Sequence, residues 1–73
     1  MEKFSYRLKT LRTSKHVYQK DLSAFLGISP RAYQLYESGS GFPSVPGLLA
    51  LADYFDVSLD YLVGRSDDPR RLP

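Results

Sequence analysis

The chain has no cysteine and one histidine among its 73 residues. Without cysteine, disulfides and thiolate metal sites are excluded. One histidine makes neither a two-histidine zinc motif nor a histidine cluster. No apolar run approaches the roughly 20 residues that span a bilayer. The start, Met1-Glu2-Lys3-Phe4-Ser5, lacks an apolar signal core, so a cytoplasmic protein is expected. There is no glycine-rich phosphate loop and no pair of carboxylates on one helix face, so neither an enzyme nor a cofactor is expected. Asp67-Asp68 lies in a polar tail with no pocket around it, and no metal site is expected there. Strand-like alternation and internal repeats are also missing.

What is present is ordinary for a folded domain. The chain is 42% hydrophobic and 25% charged, with a net charge of +2, which argues against disorder. Its length suits one domain with one small core. Such a core supplies only about 3–5 kcal/mol, so stability must come from regular helix packing.

The pattern predicts an all-α, five-helix single domain over residues 1–64, with a flexible tail over 65–73. Phe4, Leu8 and Leu11 form a helical stripe within residues 4–15. A second helix runs over 18–26, with Leu22, Phe25 and Leu26 inward, and Gly27 offers a left-handed stop. Ser29-Pro30 reads as N-cap and first position of a third helix, 30–38, burying Ala32, Tyr33 and Tyr36. One or both tyrosine hydroxyls are expected near the surface. Ser44 caps a fourth helix carrying Val45, Leu48, Leu49, Ala52 and Phe55. Ser58 caps a short fifth helix with Leu59, Leu62 and Val63, ended by Gly64.

The informative segment is Gln19 to Glu37. So short a turn between helices two and three forces them to cross steeply, as in a helix-turn-helix. Ser23 and Ala24 are small enough to let the second helix approach closely. Burying Ala32, Tyr33 and Tyr36 leaves Arg31, Gln34 and Leu35 on the outer side, with Ser29 and Pro30 at the tip. Arginine can pair with guanine O6/N7 and glutamine with adenine N6/N7, so this face suits a major groove. The plain alternative is a solvated polar face.

The run Gln19-Lys20-Asp21-Leu22-Ser23-Ala24-Phe25-Leu26-Gly27-Ile28-Ser29, then Tyr33 and Tyr36-Glu37, resembles the Cro/C1-type phage-repressor helix-turn-helix. Arg7-Leu8-Lys9 with Leu11-Arg12, Pro43-Ser44, Leu48 to Ala52, Phe55, Val57 to Leu62 and Gly64 extend the likeness over residues 4–64. The resemblance implies a lambda-repressor-like domain that binds double-stranded DNA through a recognition helix, 29–38. It implies that Gln19 bridges phosphate and that helix. Pro30, Arg31, Ala32, Gln34 and Leu35, with Ser29, match base-facing positions. Arg12 and Glu37 match an ion pair between helices one and three. Tyr18 stands where the family has a capping Thr or Ser; tyrosine cannot cap, and its hydroxyl is available for a phosphate. Leu35 replaces a common polar residue, so it either meets a thymine methyl or reads fewer bases.

Phe42, Leu51, Tyr54, Leu59 and Tyr61 exceed what one small core needs. An apolar surplus suits a partner surface, and the family implies a homodimer through the last helix and the loop before it. Neither an effector domain nor a small-molecule ligand is expected. Charge divides along the chain: +4 over 1–37, −3 over 38–64 and +1 over 65–73. The leading expectation is a sequence-specific DNA-binding transcriptional regulator, a repressor, whose basic half reads DNA. The alternative is a protein-interaction module of the same fold, an antitoxin or antirepressor with little DNA binding of its own.

Overall fold

A computed structural model describes residues 2–71. Five helices follow in order: α1 Glu2–Ser14, α2 Gln19–Leu26, α3 Pro30–Ser38, α4 Val45–Phe55 and α5 Leu59–Leu62. Their boundaries follow local chemistry. Ser29, Ser44 and Ser58 each accept a backbone N–H two or three positions into the following helix, from Ala32, Gly47 and Tyr61. Tyr18 does not cap with its side chain. Instead, its backbone N–H donates to the Asp21 carboxylate at 3.2 Å, so α2 begins without a hydroxyl at its N-cap. Gly27 takes the left-handed conformation (φ +70°), and the Ile28 N–H reaches back to the Ser23 carbonyl at 3.0 Å. That closure turns the chain sharply into α3.

The core draws on every helix: Phe4 and Leu8 from α1, Leu22 from α2, Tyr33 from α3, Leu51, Ala52 and Phe55 from α4, and Leu62 from α5, with Val57 between the last two. Several inward faces differ from the periodic reading. In α4 the run Leu48-Leu49-Ala50-Leu51-Ala52 allows more than one stripe. The chain buries Leu51, Ala52 and Phe55 with Leu48 beside them, an i, i+3, i+4, i+7 face. Leu51 is therefore core and cannot belong to a partner surface. Val45 and Leu49, expected inward, are exposed. Phe25 is half exposed and stacks on Tyr54, ring centroids 4.9 Å apart. Ser23 is buried and bonds the Lys20 carbonyl, whereas Ala24 faces solvent and plays no part in the close approach.

The segment after Gly64, read from sequence as a loose tail, is hydrogen-bonded to the helices as far as Arg71. Ser58 N–H donates to the Pro69 carbonyl at 3.0 Å. The Arg7 guanidinium, largely buried, donates to the Tyr61 and Ser66 carbonyls and to Asp67, and lies 4.1 Å over the Tyr61 ring. Arg7 thus ties α1 to the end of α5 and to the chain that follows.

The register of α4 is testable by urea denaturation. Leu51→Ala should cost about 2–5 kcal/mol, whereas Leu49→Ala should stay within about 0.5 kcal/mol. Equal costs would contradict the observed face.

Candidate nucleic-acid interface

Tyr33 and Glu37 stand four residues apart on α3, so they share one face of the helix. That face is turned inward. Tyr33 is fully buried, and the Glu37 side chain is only 5% exposed. A carboxylate so far from water must be paired, and Glu37 is. Its Oε2 accepts from Arg12 Nε at 2.6 Å and from the Tyr33 hydroxyl at 2.6 Å. Its Oε1 accepts from Arg12 Nη2 and from Gln19 Nε2, each at 3.0 Å. The remaining Arg12 nitrogen donates to the Val17 carbonyl at 3.0 Å. The fork-on-fork geometry of Arg12 and Glu37 fixes orientation as well as distance. An ionised carboxylate only accepts, so the Gln19 amide must turn its NH₂ toward Glu37.

Burial pushes the Glu37 carboxyl up, but hydrogen bonds from Arg12, then Tyr33 and Gln19, together with the Arg12 charge, hold it below its ordinary value. Burial and then the bond to Glu37 drive the Tyr33 hydroxyl far above its ordinary range. It therefore remains a donor. Of the two tyrosines whose hydroxyls, one or both, are expected near the surface, Tyr33 is not the one, because Glu37 supplies its acceptor inside.

This inward anchoring decides what α3 shows outside. Arg31, Gln34 and Ser38, spaced i, i+3 and i+7, are exposed, with Ser29 and Pro30 at the tip. Ala32 and Leu35 are half-buried. The Ser29 hydroxyl is engaged by the Ala32 N–H at 3.1 Å. The Leu35 carbonyl takes the N–H groups of Ser40 and Gly41, which folds the following loop against it. Tyr18 is exposed beside Gln19, with the Lys20 ammonium 5.6 Å from its ring centroid. Gln19 is half-buried because Glu37 holds it. Of the surplus apolar residues, Phe42 and Tyr54 are exposed, and Leu59 and Tyr61 are half-buried, the latter under Arg7.

Sequence reasoning missed Asp21 as the cap of α2 and Arg7 as the second structural arginine. Asp21 was legible as an acid three residues beyond a poor N-cap. Arg7 was not, because the two backbone carbonyls and the Asp67 carboxylate that accept from it lie in a distant segment that only the folded chain brings near.

Removing Arg12 alone strands a buried carboxylate, which costs about 3–5 kcal/mol, comparable to the stability of so small a domain. Arg12→Met should therefore largely unfold the chain, and joint replacement of Arg12 and Glu37 by Met and Leu should recover much of the loss. Because the Glu37 carboxyl is depressed in the fold, its contribution is complete above about pH 4.5, its ordinary value. It drains as pH falls through the folded value. An acid titration followed by circular dichroism should show Glu37→Gln less stable at neutral pH and shallower in its acid limb.

The helix-turn-helix family model matches residues 8–62. Over 66 residues the chain is 36% identical to the uncharacterized HTH-type transcriptional regulator YobD of Bacillus subtilis, covering 90% of this chain and 59% of the relative. It is 36% identical over 63 residues to the cryptic phage CTXphi transcriptional repressor RstR of Vibrio cholerae, with coverage of 86% and 56%. A crystal structure of a transcriptional regulator from Listeria innocua superposes with a TM-score of 0.81 at 31% identity, over 84% of this chain and 57% of that one. The chain spans under three-fifths of the length of each of these proteins. The family match runs from the core leucine of α1, Leu8, to that of α5, Leu62, and includes the whole Arg12–Glu37 junction; the chain belongs to the helix-turn-helix family, of the Cro/C1 type.

Proposed function

We propose that the chain is a sequence-specific DNA-binding transcriptional regulator that acts as a repressor by occupying an operator. The observation that carries this is the rigid outward presentation of Arg31 and Gln34 by a helix anchored from within through Glu37. Arg31 suits guanine and Gln34 suits adenine in the major groove. Ser29 and Pro30 bring the tip of α3 close to the bases, Ala32 leaves room for that approach, and Leu35 offers apolar contact. Gln19 keeps one N–H for a phosphate while the other holds Glu37, and the exposed Tyr18 next to it offers a hydroxyl to the same backbone. The +4 balance of residues 1–37 supports attraction to the phosphate backbone.

The relatives' names, a phage repressor among them, support the regulatory reading. The reading includes a cytoplasmic homodimer without catalytic activity or small-molecule ligand. Two copies would set their recognition helices about 34–36 Å apart on an inverted repeat. Exposed Phe42 and Tyr54 are the contacts offered for that pairing. Among the described residues, no helix is long and apolar enough to cross a membrane.

Selection of bound duplexes from a random pool should yield a palindromic site. On that duplex, Arg31→Ala and Gln34→Ala should each lose about 1–3 kcal/mol, roughly 5- to 150-fold in affinity, with little change on random DNA. Unchanged affinity for the selected site would refute the assignment of α3 as the reading helix.

A further inference from the structure

The far side of the domain carries charge of the opposite sign. Residues 38–64 contain three aspartates and neither lysine nor arginine. Two of these aspartates crowd the C-terminal end of α4: Asp53 in the last turn and Asp56 at the C-cap, in the left-handed conformation (φ +54°). A helix C-terminus already carries partial negative charge on its free carbonyls, and cations belong there. The last turn of α4 supplies none. The relief comes from outside the helix. Arg71 donates to the Ala52 carbonyl at 3.2 Å and to Asp53, and its guanidinium stands 3.8 Å from Asp56.

Beside this contact runs a groove of about 310 Å³, lined by Leu49, Ala52, Val57 and Leu59 together with Asp53 and Asp60. Leu49 is 47% exposed because nothing in the fold covers it fully. An apolar trough with acidic lining and an electronegative helix end has a definite complement: an extended segment with an arginine next to an aliphatic residue. A second copy meeting this face with its own would set aspartates against aspartates. The chain's tail shows how such a guanidinium seats, because Arg71 already occupies the acidic end.

We infer that the α4–α5 groove is a docking site for an arginine-bearing basic segment of a partner protein, held in reserve by the chain's own Arg71. The partner's arginine replaces Arg71 at the Ala52 carbonyl, Asp53 and Asp56, and its aliphatic neighbour lies against Leu49 and Leu59. Because the Arg71 contacts are largely exposed, the tail is a weak competitor. The site does not depend on what α3 binds.

The test is an NMR titration of the chain, residues 1–73, with a capped synthetic peptide of the sequence of residues 69–73, which carries two arginines and no acid. Wild type is compared with Arg71→Ala, Arg71→Gln and the triple variant Asp53→Asn/Asp56→Asn/Arg71→Ala. With either Arg71 variant, the amides of Asp53 and of residues 56–59 should shift saturably, at peptide concentrations at least tenfold lower than wild type requires. The triple variant should lose the response while keeping a folded spectrum. No shift in the Arg71 variants, or equal shifts in wild type and in the triple variant, would overturn the inference. Shifts of the same amides on concentrating Arg71→Ala without peptide would also overturn it, because the occupant would then be a second copy.

Discussion

Glu37 sits almost out of water where three helices meet, and the placement of the outer face of α3 follows from its four hydrogen bonds. Both of its oxygens are fully used, by Arg12 from α1, by Tyr33 from α3 itself and by Gln19 from the first position of α2. A buried charge is a liability on its own, so the arrangement is all-or-none: with every donor present the junction is rigid, and with one removed it is strongly unfavourable. That stiffness is what a reading surface needs, since base discrimination demands side chains held in one place relative to the groove. Tyr33 and Glu37 face in, so Arg31 and Gln34 face out.

A second arginine performs the analogous task from the middle of α1. Arg7 gathers two carbonyls at the end of α5 and in the chain beyond, together with the exposed Asp67 carboxylate, and it lies over the Tyr61 ring. The two arginines of α1, five residues apart, pin α3 on one side and α5 on the other. Between them the apolar core, built from Phe4, Leu8, Leu22, Tyr33, Leu51, Phe55 and Leu62, needs few residues per helix. The polarity of the molecule follows: a basic half that contains α1 to α3, and an acidic half whose excess charge at the end of α4 is answered by Arg71.

The helix order and most boundaries were legible because serines, prolines and glycines mark the ends by local chemistry that needs no tertiary structure. Ser29-Pro30 and Gly39 bound α3 at the residues the sequence indicates. The inward faces were less legible where apolar residues are too many. In α4 the five-residue apolar run leaves the stripe to be chosen by packing, and packing buries Leu51 rather than Leu49. For the site, the outward position of Arg31 and Gln34 follows from burying Tyr33, and the partners Arg12 and Glu37 came from family likeness. The convergence of Tyr33 and Gln19 on Glu37 was hidden. It requires α1, α2 and α3 to meet at one point, and no spacing within a helix encodes that meeting.

A preformed, Glu37-locked junction should present residues 29–35 to DNA without rearranging. The most direct measurement is an NMR titration of the labelled chain with its selected duplex, following backbone amides together with the Glu37 carboxyl and Tyr33 ring signals. Large shifts are expected at residues 29–35 and 18–20, with the Glu37 and Tyr33 side-chain signals holding their free-state positions. Shifts centred on α4 and α5, or a Glu37 carboxyl signal that moves to that of a solvated or protonated group on binding, would contradict it.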